Sequence, residues 1–338
     1  MWNRCLVVVC LSLFCTVLAP GSAAAQIYET VGTRAQGMGG AFIAVSNDAT
    51  ATWWNPAGIA VTYFSLVADQ TETTDPADAP SYGPAWRGRA NSVAAAFPAL
   101  GLSYYRLRIS EIAPQLTTAD PQVVRQDLGA AGVSLGSLVM HQFGATVGQS
   151  LGDHLVMAST LRLVRAGRAD MTVPGGGAFD DADELDPAAL ETRGDLDVGV
   201  LAIIGPVRVG ATVKHLNEPE FRDNGLLLER QARAGVAWFV GQPGAAASLT
   251  AAFDVDLTRT PTHLGEVRHM AGGAELSLPR QMLALRAGMS ANTIGDLTRS
   301  TSTGISVGLS RGFFLDAAAT FGSDRSRKGW AVGLRLTI

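Results

Sequence analysis

The sequence predicts an all-β chain, a transmembrane antiparallel β-barrel of about 14 strands with a small helical N-terminal hatch in its lumen. Three observations carry that expectation. Apolar residues alternate with period two over many short segments, the signature of strands with one apolar face. The opposite face holds mostly Gly, Ser, Ala and Thr with single charges, which suits a crowded barrel interior better than a water-exposed sandwich face. The connections between these segments alternate long and short, as they do when one end of a barrel carries loops and the other tight turns.

Composition agrees. Only 17% of the 338 residues are charged, where about 25% is usual, and 47% are hydrophobic beside 38 glycines. A formal net charge of −4 lacks the basic excess that nucleic-acid binding requires, so no nucleic-acid partner is expected.

From the N-terminus, Arg4 precedes an apolar run from Cys5 to Ala19, and Pro20 and Gly21 lead to Ala23, Ala24 and Ala25. This pattern reads as a signal peptide over 1–25, with a mature chain from Gln26. All three cysteines, Cys5, Cys10 and Cys15, lie in that segment. A mature chain without thiols has no disulfides and no thiolate metal sites. Beyond it, no apolar run approaches the ~18 residues of a membrane-spanning helix.

Residues 26–60 do not alternate. They contain Gly37-Met38-Gly39-Gly40-Ala41-Phe42, then Asn47-Asp48-Ala49-Thr50-Ala51-Thr52-Trp53-Trp54-Asn55-Pro56-Ala57-Gly58. A phosphate-loop reading fails, because no strand precedes the glycines and no Lys-Ser or Lys-Thr follows them. Small residues permit close backbone packing, Asn47 or Asp48 suits a helix cap, and Pro56 with Gly58 suits its end before a first strand at Val61. The segment has the size of a compact lumen filler.

Strands are expected over 61–70, 90–97, 100–109, 137–150, 153–168, 193–204, 206–216, 227–240, 245–258, 267–278, 281–292, 301–311, 313–322 and 328–338, so that the barrel occupies 61–338. Tight turns fall at Pro98 and Ala99, Gly152, Gly205, Pro243, Pro279 and Gly312. An even strand count places both barrel ends at the turn side. By alternation Arg162, Arg208, Lys214, Asp254, Arg286, Asp316 and Arg335 point into the lumen, since Arg or Lys on the lipid face near the midplane costs about 2–4 kcal/mol. The loop with Asp180, Asp181, Asp183, Glu184 and Asp186 lacks the spacing and turn glycine of a calcium loop. It reads as a solvated external loop, and no metal site is expected.

The Gly37–Phe42 run, the Asp48–Ala51 run and Trp54-Asn55-Pro56-Ala57-Gly58 resemble the N-terminal hatch of the FadL/TodX family of outer-membrane transporters for hydrophobic compounds. The resemblance implies a 14-stranded barrel plugged by an N-terminal hatch in the outer membrane of a Gram-negative bacterium. Asn55, Pro56 and Ala57 would belong to that hatch, together with Gly37, Gly39, Gly40, Asp48, Trp53, Trp54 and Gly58. It further implies passive transport of long-chain fatty acids or aromatic hydrocarbons without a cofactor. The partners would be outer-membrane lipids, the hydrophobic substrate and, during biogenesis, the barrel-assembly machinery. PorV-like barrels share the motif and bind protein partners as secretion or assembly accessories, which is the alternative reading.

An enzyme is not expected. His141, His154, His215, His263 and His269 have no helical i,i+4 partner, and no Gly-x-Ser-x-Gly elbow occurs. Asp195 with Asp197 and Asp254 with Asp256 share strand faces, where pairing with luminal arginines is the simpler role.

Overall fold

The computed structural model describes residues 31–75, 85–114, 132–173, 179–222, 225–241, 247–262, 265–278, 282–295, 297–322 and 328–338. The expected signal peptide, the turns at Pro243 and Pro279, and His263 lie outside them. Fourteen strands close into one antiparallel barrel. In chain order they are β1 Ser65–Asp75, β2 Ala85–Phe97, β3 Leu100–Pro114, β4 Val133–Leu151, β5 Leu155–Val173, β6 Glu191–Ile204 and β7 Val207–Lys214. There follow β8 Gln231–Val240, β9 Ser248–Asp256, β10 His269–Ser277, β11 Leu283–Asn292, β12 Arg299–Ser310, β13 Phe313–Gly322 and β14 Lys328–Thr337.

Each strand pairs with its sequence neighbour, and β1 closes on β14 with Ser65 opposite Thr337. Each expected span contains one strand, with shifted ends. At the start, β1 begins at Ser65 instead of Val61, because a 3-10 helix, Pro56–Val61, occupies the chain first. Proline sits at the start of that helix, where its missing N–H leaves no bond unmade; Pro56 therefore opens a turn of helix rather than ending one. Gly205 and Gly312 take positive φ in the tight turns that their positions suggested.

Side chains alternate as the pleat requires. On β5, Leu161 and Leu163 are exposed on the outside, whereas Arg162 and Val164 between and beyond them are buried inside. The core is the lumen itself, filled by residues 31–62, after which Tyr63 and Phe64 lead out to β1. Helix α1, Thr33–Gly37, lies against β12 and β13, a second short helix, α2, spans Ala51–Trp54, and the 3-10 helix lies against β4, β5 and β6. Met38, Phe42, Ile43 and Ile59 are among the most deeply buried side chains of the protein.

Barrel glycines make this filling possible. A Cβ at Gly273 or Gly288 would lie 2.3 or 2.2 Å from the Met38 backbone, and one at Gly199 would lie 2.1 Å from Asn55 Oδ1. Real Cβ atoms do not approach so closely, so the inward glycines are the sockets into which the segment presses.

A third helix, α3, Phe179–Glu184, follows β5. It packs Ala182 on the outward residues Ile112, Val133 and Leu135, so the chain after β5 folds against the outside of the barrel wall. The acidic residues are therefore not simply solvated. Arg87 pairs with Asp180 at 2.9 Å and with Asp183, Arg89 with Asp183 at 2.6 Å, and Arg108 with Asp186.

Candidate functional site

The luminal segment is fixed to the wall through polar contacts at several points. Arg34 of α1 donates to Asp48 at 2.6 Å, to Asn47 at 2.9 Å, and to both carboxylate oxygens of Glu275 on β10 at 2.8 and 3.1 Å. Burial opposes the charge on Arg34, but Glu275 and Asp48 outweigh it and hold its pKa above the usual value. Burial likewise pushes the Asp48 carboxyl up, while Arg34 and the Thr50 hydroxyl hold it below the ordinary range. Asp48 also accepts the Thr50 N–H at 2.9 Å. It thus shapes the turn before α2, whose cap residue is Thr50, instead of capping the helix itself.

Asn55 is wholly buried between the two halves of the segment and the wall. Its Nδ2 donates to Ile43 O and to Val200 O of β6, both at 3.0 Å, and its Oδ1 accepts the Ala57 N–H at 3.1 Å. The extended backbone at Asn55 separates α2 from the 3-10 helix. Gly58 lies so close to Ser46 that a Cβ there would stand 2.1 Å from its carbonyl oxygen. Gly37 meets the backbone of Gly304 on β12, Gly39 meets the backbone of Met289 on β11, and Gly40 faces Trp54.

The seven luminal charges all lie on inward faces. Arg162 pairs with Asp197 at 2.6 Å and donates to Gln142 and to Thr52 O, each at 2.9 Å. Arg286 bonds Glu275 at 2.5 Å and also Ser306, and Arg335 bonds Asp316 at 2.9 Å. Asp254 differs from the expectation of an arginine partner, because its carboxylate accepts the backbone N–H groups of Phe42 and Ile43 at 2.7 and 2.8 Å. Arg208 stacks over Phe239 at 4.2 Å, and Lys214 Nζ sits 3.3 Å from the Trp53 ring centroid, both favourable over an aromatic face.

Four further charges organise the lumen and were not singled out in the sequence: Arg34, Glu275, Arg233, and Asp69 of β1, which accepts the Thr33 N–H at 3.3 Å and the Thr33 hydroxyl at 2.5 Å. Glu275 and Arg233 occupy inward positions on β10 and β8 and were open to the same alternation reading. Arg34 stands in a segment of small residues, where nothing in the local pattern names its partners. Arg233 pairs with Asp256 at 2.5 Å. Asp195, Asp197 and His215 bring possible metal-ligand atoms within 4.8 Å of one another. His215 bonds Asp195 at 2.6 Å and Arg162 neutralises Asp197, so the group is a satisfied ion-pair network with a cation of its own.

On the long-loop side of the segment lies a luminal pocket. Trp53, Trp54 and Ile43 line it from the segment, Leu107, Ile109, Leu138 and Met140 from β3 and β4, and Leu226 and Leu228 from the connection after β7. Lys214, His215 and Arg233 supply its polar rim. In that connection a two-stranded ribbon, Glu220–Phe221 with Leu226–Leu227, carries Phe221, Leu226 and Leu228 inward until all three are buried. The cavity is about 50 Å³, well under the ~150 Å³ of an apolar cavity that accepts benzene. This pocket is therefore too small, as it stands, for such a solute.

No protein-family model matches the chain, and neither does any curated protein. Solved structures do. A TodX deletion mutant described as a monoaromatic hydrocarbon channel aligns with a TM-score of 0.59 at 13% identity, over 91% of this chain and 99% of that one. The Ralstonia pickettii toluene transporter TbuX gives 0.59 at 12%, over 91% and 98%, and a Pseudomonas aeruginosa FadL homologue 0.55 at 12%, over 92% and 99%. The barrel has the FadL/TodX-type fold.

Proposed function

We propose that this barrel of FadL/TodX type is an outer-membrane channel for hydrophobic small molecules, with residues 31–64 acting as its hatch. The observation that carries the reading is the luminal pocket. Its walls are apolar and aromatic with a few polar groups at one edge, the usual make-up of a small-molecule site, and it ends on Trp53 and Trp54 of the segment that fills the lumen below. Long-chain fatty acids or aromatic hydrocarbons are the substrate classes; of these, the TodX and TbuX neighbours are described as carrying monoaromatic hydrocarbons or toluene. The solute would enter between the Leu226 ribbon and the wall.

Transport through a cavity this small requires motion. The ribbon around Leu226 and Leu228 and the Trp53-Trp54-Asn55 corner are the two parts that bound it. The same largely apolar pocket favours a channel over a protein-binding accessory. The test is uptake of labelled oleate and of labelled toluene by cells lacking other transporters. Accumulation above empty cells by the wild type, reduced when Leu228→Trp fills the cavity, supports the reading. If neither solute accumulates, the channel reading fails.

A further inference from the structure

The outer face of the barrel is uncharged over much of its circumference. From β7 to β11 the outward positions, such as Val209, Trp238, Phe253, Ala274 and Met289, hold no charged side chain. Strands β2 to β5 break this pattern. Outward-facing Asn91, Arg106, His141 and Arg165 stand directly opposite one another across the four strands. Arg89 opposite Arg108 forms the next row toward the long loops. Like charges placed directly opposite in a sheet disfavour the pairing unless something compensates them.

The two rows differ in their compensation. The upper arginines are bound by acids: Arg89 by Glu72 at 2.7 Å and Asp183 at 2.6 Å, and Arg108 by Asp186. Among the described residues, no carboxylate lies within ion-pair distance of Arg106 or Arg165, and both side chains are exposed. The acidic chain after β5 reaches the upper row and stops there.

The lower row also marks a boundary. On β5 the stretch from Leu155 to Leu163 separates the short turn from Arg165, and on β4 the stretch from Leu151 to Phe143 separates it from His141. A membrane-crossing strand needs about 9–11 residues, so the row lies where the apolar band ends. Aromatic residues gather there, as they do at a membrane interface: Tyr104 Oη lies 2.8 Å from His141 Nδ1, and the Tyr104 and Phe143 rings are 4.7 Å apart. Immediately below, Val93, Leu102, Phe143 and Leu163 surround the small side chains of Ala95 and Ala145 in an outer groove of about 700 Å³.

We propose that this outer face binds a phosphorylated lipid of the surrounding leaflet, its phosphate held between Arg106 and Arg165 and an acyl chain lying in the groove. The two arginines stand two strand spacings apart, about 10 Å, a gap that two long side chains can close on one phosphate. Guanidinium groups match phosphate oxygens in a planar, two-bond geometry. Basic residues at a membrane surface attract anionic lipid. The leaflet involved follows from the outer-membrane reading above, but the site itself does not depend on transport.

The test uses the detergent-solubilised full chain and native mass spectrometry with diphosphoryl lipid A, the same lipid with its phosphates removed, and inorganic phosphate as competitor. The wild type should retain the diphosphoryl lipid at least tenfold better than the dephosphorylated one. Arg106→Gln with Arg165→Gln should abolish that preference, whereas Arg299→Gln on β12 should keep it. Arg106→Lys and Arg165→Lys retain charge without the planar fork, and each should give intermediate retention if the glutamine variant does not fold. Equal retention of both lipids by the wild type, or an undiminished preference in the folded glutamine or lysine variants, would overturn the proposal. Complete displacement by millimolar phosphate would also overturn it, since the site would then take a free anion. Solute uptake by the glutamine variant should equal that of the wild type, so a failed transport reading and a failed lipid site give different results.

Discussion

Arg34 and Glu275 are separated by most of the chain, yet they form a two-bond ion pair at 2.8 and 3.1 Å inside the barrel, with each side chain only 9% exposed. The pair joins the luminal segment to β10. Removing one member of a buried pair strands the other charge, at a cost of about 3–5 kcal/mol, whereas replacing both with apolar side chains is often neutral. Arg34→Met leaves Glu275 with Arg286 but takes the cation from Asp48; it should expose residues 31–64 to protease in the purified barrel, and Arg34→Met with Asp48→Asn should restore part of the protection. A single variant as protected as the wild type would show that Arg34 does not anchor the segment.

Asn55 satisfies two carbonyls and one amide of the backbone at once. Asn55→Ala leaves the carbonyls of Ile43 and Val200 without this donor, and an unmet buried group costs about 1–3 kcal/mol. The barrel should still form, seen as a band that migrates differently before and after boiling, while uptake of apolar solutes changes at equal surface abundance. If Asn55 only stiffens the turn, stability falls and uptake per folded molecule stays the same.

Gly288 faces Met38 so closely that an added Cβ would lie 2.2 Å from the Met38 carbonyl carbon, whereas at Gly194 nothing lies within 4 Å. Overpacking of this kind costs about 1–3 kcal/mol. Gly288→Ala should loosen the luminal segment and Gly194→Ala should not, as read by limited proteolysis. Equal behaviour of the two variants would mean that the wall yields instead of the segment.

Acid should act on the segment in a defined window. The Asp48 carboxyl lies below its ordinary value of 3.8 in the folded chain. A carboxyl with a lowered folded pKa contributes stability that is present above its unfolded value and lost as pH falls through the folded one. The advantage of wild type over Asp48→Asn in protease protection of residues 31–64 should thus be level from neutral pH to about 5 and shrink only below about 4. A loss of that difference near pH 6 would point to another group.

Asp183 receives Arg87, Arg89 and Ser110, and so ties α3 to the outer wall. Asp183→Ala should speed cleavage near α3 by a protease added to intact cells, with the turns at Gly152 and Gly205 still spared. These contacts lie outside the strand ladders, so the barrel's own unfolding should hardly change. Cleavage at those turns from outside would reverse the assigned orientation.

The strands and their order were legible in the sequence because a barrel strand needs only local information. Alternation on 313–322 or 328–338 states which side chains face lipid, and antiparallel neighbours follow from short turns such as the one at Gly312. The inward direction of Arg162 or Asp316 is part of the same alternation. Partnership is not. Whether Asp254 meets an arginine or the amides of Phe42 and Ile43, and whether Gly199 is a weak point or a socket for Asn55, depends on what fills the lumen at that height. The acids of α3 and Asp186 after it met their arginines on β2 and β3 only because the chain after β5 turned back along the wall. These contacts join residues far apart in the chain, and only closure of the barrel brings them within hydrogen-bonding distance.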